Sequence, residues 1–384
     1  MSQTKKKWYP LLDVLRGPAA LLVFAEHWRD LLFKDFPEVA NPGVVMKLFY
    51  LFTGAGHQAV MLFFVLSGCV IAHVIYGLHE RGKWSWQSYL SARLTRLWIV
   101  LIPALLLTAL WDWIGMWLAA GRQSVYAGAG FGNILNEPVA GVSGPEVFLG
   151  NVFFLQRILV PTFGSNGPVW SISYEFVYYL AYPLLLGGLV LLRGRLFAGL
   201  ASVALAAGLL VFAGSSISAG FVIWLLGVAA YFAFKKVPWP ARWAIPGFLG
   251  GTVLLLGCIV GSRMGIDLGP VDWEVLIGIS CALAIYAGLS AEPTERLTRI
   301  LRPFHGLSAV SYSVYLLHMP LLVFIASLLF TSNADRWDPD VAHLAVAVPI
   351  ALVVFGYCLL VWFFTEHRTN ELRGWLRGLR TART

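Results

Sequence analysis

Arg16 and His27 stand eleven residues apart in the apolar run LLDVLRGPAALLVFAEHWRDLLF, which also holds Asp13 and Glu26. Eleven residues is close to three helical turns, so on a helix the two side chains share one face with a rise of about 16 Å between them. An imidazole can take a proton from a hydroxyl while a cation stabilises developing negative charge. The plainer reading is a snorkelling arginine and a hydrogen-bonded packing histidine, and spacing alone weighs the two evenly.

Three further groups carry chemistry. Glu175, in WSISYEFVYYLAYP, falls at a depth matching that of His27, where a carboxylate could fix an imidazole's tautomer; a hydrogen bond to neighbouring helices serves it equally well. Tyr312, Ser313 and His318 lie in LSAVSYSVYLLHMPLLVFI, either gluing helices together or lining a polar pocket. Arg93 and Arg96 share a face at i and i+3. Arginines so placed serve as anchors for lipid phosphate or as a fork for the phosphates of a soluble cofactor, and spacing alone favours the anchor.

The elements that position these residues follow from composition. Of the 384 residues, 58% are hydrophobic and 12% charged. An average soluble domain has about twice that share of charge. There is too little polar surface to cover a soluble core, so the chain reads as an all-α polytopic membrane protein. Runs long enough to cross the hydrocarbon fall at 11–33, 58–78, 97–118, 170–192, 196–213, 219–234, 245–261, 273–289, 308–330 and 341–364, ten in all.

Positive charge sets the expected orientation. With the N-terminus cytoplasmic, 20 lysines and arginines fall inside, from Lys5, Lys6 and Lys7 to the five arginines between Arg368 and Arg383. Seven fall outside: Arg29, Lys34, Lys47, Arg122, Arg157, Arg263 and Arg336. This bias predicts both termini in the cytoplasm, and it accounts for the net charge of +8 without nucleic acid as a partner. The N-terminal run is too long and too charged for a cleaved signal peptide and is expected to remain as the first helix. The segment 119–169 is rich in Gly, Asn and Pro, with a short apolar stretch at 147–155.

Cys69, Cys258, Cys281 and Cys358 all sit in apolar runs, and neither a disulfide framework nor a metal site is read from them. His57, His73, His79, His305, His343 and His367 fall at span ends or in loops and are taken as structural. Nothing stronger than scattered glycines marks a helix interface. The sequence shows no Gly-x-Ser-x-Gly elbow, no Walker loop and no four-residue His-to-Asp spacing after His27.

Five stretches, in order, carry a resemblance: LLDVLRGPAALLVFAEHW with its Arg-x10-His, AVMLFFVLSGCVIA, the Arg-x-x-Arg of SARLTRLWIVLIP, PVWSISYEFVYYLAYPLL, and SYSVYLLHMPLL. Together they resemble the membrane acyltransferase 3 family, which O-acylates sugars of bacterial surface polysaccharides and related glycans. The resemblance implies a single transmembrane acyltransferase domain over 1–370; a basic cytoplasmic tail is expected over 371–384, without the soluble domain that members of that family often carry after the last span. It implies His27 and Arg16 as the catalytic pair, with Arg93 and Arg96 holding acyl-CoA, acetyl-CoA by default and without a metal, from the cytoplasm.

On that footing His27 is expected to act as general base with Glu175 orienting it, Arg16 to stabilise charge, and Tyr312, Ser313 and His318 to line the pocket. A transient acyl-His27 is the rival mechanism. The acceptor would be a saccharide or glycolipid hydroxyl, and the setting a multi-pass protein of the bacterial inner membrane. A transporter or translocase of a lipid-linked saccharide or small molecule is the alternative, using the same charges as a relay. A sensor that binds acyl-CoA or glycan is a third possibility.

Overall fold

The computed structural model describes residues 9–121, 123–127, 134, 135 and 137–381. Lys5, Lys6, Lys7 and Arg122 of the charge count, and residues 382–384 of the expected tail, lie outside the described residues. The helices are α1 (Pro10–Leu32), α2 (Val44–Thr53), α3 (Gly56–Glu80), α4 (Trp86–Leu118), α5 (Pro145–Val152), α6 (Trp170–Leu191) and α7 (Leu196–Ala213). They continue as α8 (Ser215–Lys236), α9 (Ala241–Arg263), α10 (Trp273–Ser290), α11 (Glu295–Leu329), α12 (Val341–Phe364) and α13 (Thr369–Thr381). The described residues form no strand, only isolated bridges such as Phe33 with Trp337.

Among the described residues, nine helical stretches are long and apolar enough to cross a membrane. The chain is thus an all-α polytopic membrane protein. The difference from ten is α1, which has the length but carries Asp13, Arg16, Glu26, Arg29 and Asp30. Helix ends also differ where charge interrupted an apolar run. α4 starts at Trp86 rather than 97, with Ser85 as its N-cap, so Arg93 and Arg96 lie inside the helix rather than at its mouth. α11 starts at Glu295 rather than 308 and takes in Arg296, Arg299 and Arg302. α2 went unread from sequence, and the stretch expected at 147–155 overlaps α5. The expected boundary at 370 falls within α13.

The distribution of side chains is that of a protein dissolved in lipid. Phe197, Val211 and Leu352 are 86, 80 and 67% exposed, whereas Asn151, Ser313 and His318 are fully buried. A hydrocarbon solvent imposes this inversion, because an apolar side chain loses nothing by facing it and a polar group must be satisfied inside the protein.

The chain divides into two compact units. The first comprises the residues up to Leu22, Ala55–Glu80 and Ala219–Ser311. Within it α10 packs on α9 and α3, and α3 crosses α8 with backbones nearly touching. A Cβ on Gly227 would stand 1.8 Å from the Val65 carbonyl oxygen, and one on Gly68 would stand 2.1 Å from that of Trp224. These glycines are therefore a helix interface, since close backbone approach is how helices gain packing energy where lipid offers no hydrophobic drive.

The second unit comprises Val23–Gly54, Arg81–Ser218 and the residues from Tyr312 on. Here α6 packs on α7, and α4 on α5 and α13. Arg336, expected as a charge that only orients the chain, is buried instead. Its guanidinium donates to both oxygens of Asp35 at 3.2 and 3.1 Å, to Glu38 at 3.3 Å and to the Asp30 carbonyl at 2.8 Å. Backbone bonds reinforce this knot, with Trp337 N–H donating to Leu32 at 2.9 Å and Lys34 N–H to Trp337 at 3.0 Å.

Two stability outcomes follow, both read by thermal unfolding in detergent. Gly227→Val must push α8 off α3 and is expected to lower stability by more than the ~1–3 kcal/mol of ordinary overpacking, because the obstacle is backbone. Arg336→Ala removes the buried guanidinium that ties Asp35, Glu38 and the Asp30 carbonyl together and is expected to cost about 1.5–3 kcal/mol, the scale of lost hydrogen bonds to a charged group, since the carboxylates left behind reach solvent.

Candidate active site

Two prolines and the groups that answer them fix the helices around the site. Pro320 in α11 has no N–H to give to Leu316, four residues back, and the freed Leu316 carbonyl takes a hydrogen bond from Asn166 Nδ2 at 2.9 Å. Pro183 in α6 frees the Tyr179 carbonyl in the same way, and the Tyr89 hydroxyl of α4 donates to it at 3.1 Å. In hydrocarbon, where water cannot fill either gap, these bonds hold the loop before α6 to α11, and α4 to α6.

That loop is itself pinned. Buried Asp112 of α4 accepts from the Ser165 N–H at 2.8 Å and the Ser165 hydroxyl at 2.5 Å. Gly164 turns there with φ +56°, and a Cβ on it would stand 2.2 Å from Asp112 Oδ2. Asn166 Nδ2 also reaches Thr108 Oγ1 at 3.1 Å, and Gln156 Nε2 donates to the Val169 carbonyl at 2.9 Å. The chain therefore enters α6 at one height, and Ser171, whose hydroxyl lies 2.8 Å from that of Tyr315, ties that entry to α11.

His27 meets His318 in this frame. Nδ1 of His27 lies 2.7 Å from Nε2 of His318, with ring planes 21° apart and centroids 5.0 Å apart. That centroid distance is the bond length plus the two ring radii, so the nitrogens face each other in plane rather than stacking. His27 is half-buried and His318 wholly buried, with Phe24 packed obliquely on its ring at 5.7 Å. Nδ1 of His318 is 2.7 Å from the Val314 carbonyl, so both of its ring nitrogens are engaged within the protein.

A second cluster gathers the remaining candidates of the second unit. Arg93 lies over the rings of Tyr89 and Tyr179, 5.8 and 5.9 Å from their centroids, and its Nε is buried without a hydrogen-bond partner. Arg96 is in electrostatic range of Tyr179, Glu175, Glu366 and Tyr312. Glu175 accepts a hydrogen bond from the Tyr179 hydroxyl, and Tyr312 donates to the Leu97 carbonyl at 3.2 Å. Ser313 gives both its N–H, at 3.2 Å, and its hydroxyl, at 2.8 Å, to Glu366. Arg373 of α13 donates to the Ala92 carbonyl at 2.9 Å, bringing a third guanidinium to this end of α4.

The structure thus brings His27 to His318, and it brings Arg96 to Glu175 and Tyr312. Among the described contacts, the partner at Nδ1 of His27 is His318, and the tyrosine four residues on holds Glu175. Arg16 belongs to the first unit, where its neighbour in sequence, Asp13, pairs with His305 at 2.9 Å. His57 and His343 likewise pair with Glu274 and Asp340, at 2.7 and 2.9 Å. Sequence reasoning passed over Glu366 and Tyr179. Glu366 follows an apolar run, where a carboxylate is unremarkable, whereas Tyr179 could have been found as the i+4 neighbour of Glu175.

Comparison with characterised proteins and with solved structures gives no match. A family match covers nearly the whole chain: residues 9–367 fit the acyltransferase domain Acyl_transf_3. That stretch takes in the histidine pair and the arginine-carboxylate cluster together, and the protein is a multi-pass membrane member of the acyltransferase 3 family.

Proposed function

We propose that the protein moves an acyl group, acetyl by default, from cytosolic acyl-CoA to a hydroxyl of a cell-surface or lipid-linked saccharide in the bacterial inner membrane. The observation that carries this reading is His27, a half-buried imidazole on an apolar helix of an acyltransferase domain, held at Nδ1 by a buried partner.

The donor supplies an activated thioester. His27 accepts the proton of the acceptor hydroxyl as the new ester C–O bond forms and the thioester C–S bond breaks, and it returns that proton to the departing sulfur. Arg16, eleven residues earlier in the sequence, supplies positive charge for the carbonyl oxygen. Arg93 is the better phosphate ligand of the two arginines, because its Nε is buried with bonding capacity to spare, while carboxylates already answer the charge of Arg96. Arg96, Glu175, Tyr312 and Ser313 with Glu366 then form a polar wall beside it, rather than a base-orienting set.

Topology follows the charge bias, with both termini cytoplasmic and the Arg93 end of α4 on the same side. A green fluorescent protein fused after Thr384 is expected to fluoresce, and a periplasm-dependent phosphatase fused there to stay silent. The reverse pattern would place the arginines away from cytosolic acyl-CoA.

Purified protein in nanodiscs, given radiolabelled acetyl-CoA, is expected to transfer or hydrolyse the acetyl group. His27→Ala is expected to lower turnover by at least about a hundredfold, with binding intact. Arg93→Ala is expected to weaken binding about tenfold or more, the scale of one lost charged hydrogen bond. Absence of binding by acetyl-CoA and by longer acyl-CoAs would overturn the reading.

A further inference from the structure

We infer that His318 is the positioning residue of His27, fixing the tautomer that leaves Nε2 of His27 as its reactive nitrogen.

The argument needs only donors and acceptors. A carbonyl oxygen accepts and never donates, so the 2.7 Å contact between Nδ1 of His318 and the Val314 carbonyl puts a hydrogen on that nitrogen. A neutral imidazole carries one N–H, so Nε2 of His318 presents a lone pair. The 2.7 Å contact to His27 then requires the hydrogen to sit on Nδ1 of His27. In neutral His27 the lone pair is left on Nε2, the nitrogen facing away from His318. The near-coplanar rings give that N–H···N bond the straight geometry it favours.

The helix sets this relay by its own periodicity. Val314 is the i−4 neighbour of His318, so one turn of α11 polarises the ring and no other element is needed. A neutral acceptor also suits the setting better than a carboxylate. Fully buried His318 adds no resting charge to the membrane interior, and when His27 takes up a proton the pair holds a single positive charge shared along one hydrogen bond. The role is one of orientation, since the described bonds of His318 leave it no nitrogen for a substrate.

The tautomer is independent of the acyl-transfer reading, and what Nε2 does rests on that reading, so two measurements separate them. The first is nitrogen-15 spectroscopy of full-length protein labelled at histidine, in nanodiscs above neutral pH, with His27 assigned by difference against His27→Gln. Nδ1 of His27 is expected to appear protonated and Nε2 unprotonated. A protonated Nε2 in the neutral ring overturns the proposal; the tautomer is read in the wild-type protein, and His27→Gln serves only to assign the signal.

The second is acetyl-CoA turnover. His318→Leu, which cannot accept a hydrogen bond, is expected to lower kcat by at least about a hundredfold with KM for acetyl-CoA within about twofold. His318→Gln, whose Oε1 can accept from Nδ1–H of His27, is expected to recover about tenfold or more of that loss. Unchanged kcat in His318→Leu, or equal loss in both variants, overturns the positioning role. The expected tautomer in a wild-type protein that neither binds nor turns over acyl-CoA would instead remove the acyl-transfer reading and leave the pair standing.

Discussion

Hydrocarbon offers no hydrogen bonds, and that constraint organises everything around the site. Each backbone carbonyl released by a proline, and each buried polar side chain, has to find its partner inside the protein. Pro320 releases Leu316, and Asn166 answers from the loop before α6; Pro183 releases Tyr179, and Tyr89 answers from α4. Neither bond touches a reacting atom. Each nevertheless sets the height of a helix that carries a candidate functional residue, since His318 lies between Leu316 and Pro320 and Glu175 lies one turn before Tyr179. A helix break that would be solvated in water has become a specific contact between distant segments.

The same constraint explains how charge is distributed in the second unit. Arg336 is matched by Asp35 and Glu38, Asp112 by two donors of Ser165, and Arg96 by carboxylates within electrostatic range. Against that background, two groups stand out because they are held without being neutralised by an opposite charge. Arg93 rests on aromatic faces, which support a cation while leaving its donors available. His27 is held by an uncharged imidazole, which directs its hydrogen without fixing its charge. A group that must bind an anion, or gain and lose a proton, needs support of that kind.

The fold was legible because the hydrophobic run is a local signal. Every long apolar stretch of the sequence became a helix, and the two ends that moved furthest are those where Arg93 and Arg96, or Arg296–Arg302, broke the run before the helix itself did. The short α2 escaped because ten residues fall below the length of a span. The candidate residues were legible for the opposite reason, as polar groups that lipid should exclude. Their pairing was not. Depth along a helix placed Glu175 level with His27, but depth carries no azimuth, and the partner at Nδ1 proved to be a histidine from a span expected to line the pocket. The scattered glycines gave no pattern in one dimension, because Gly68 and Gly227 form an interface only across two helices.

The histidine pair joins residues 291 positions apart, and the Arg336 knot joins residues about as distant, 306 apart for its bond to Asp30. Both tie α1 to α11 or to the turn that follows it. During synthesis the first helix therefore emerges with His27 unmatched, and it stays so until α11 has been made. A ribosome that stops short of α11 releases a membrane-embedded chain without the histidine pair. The interval between the birth of His27 and the arrival of His318 is thus a window in which quality control can tell an unfinished chain from a finished one.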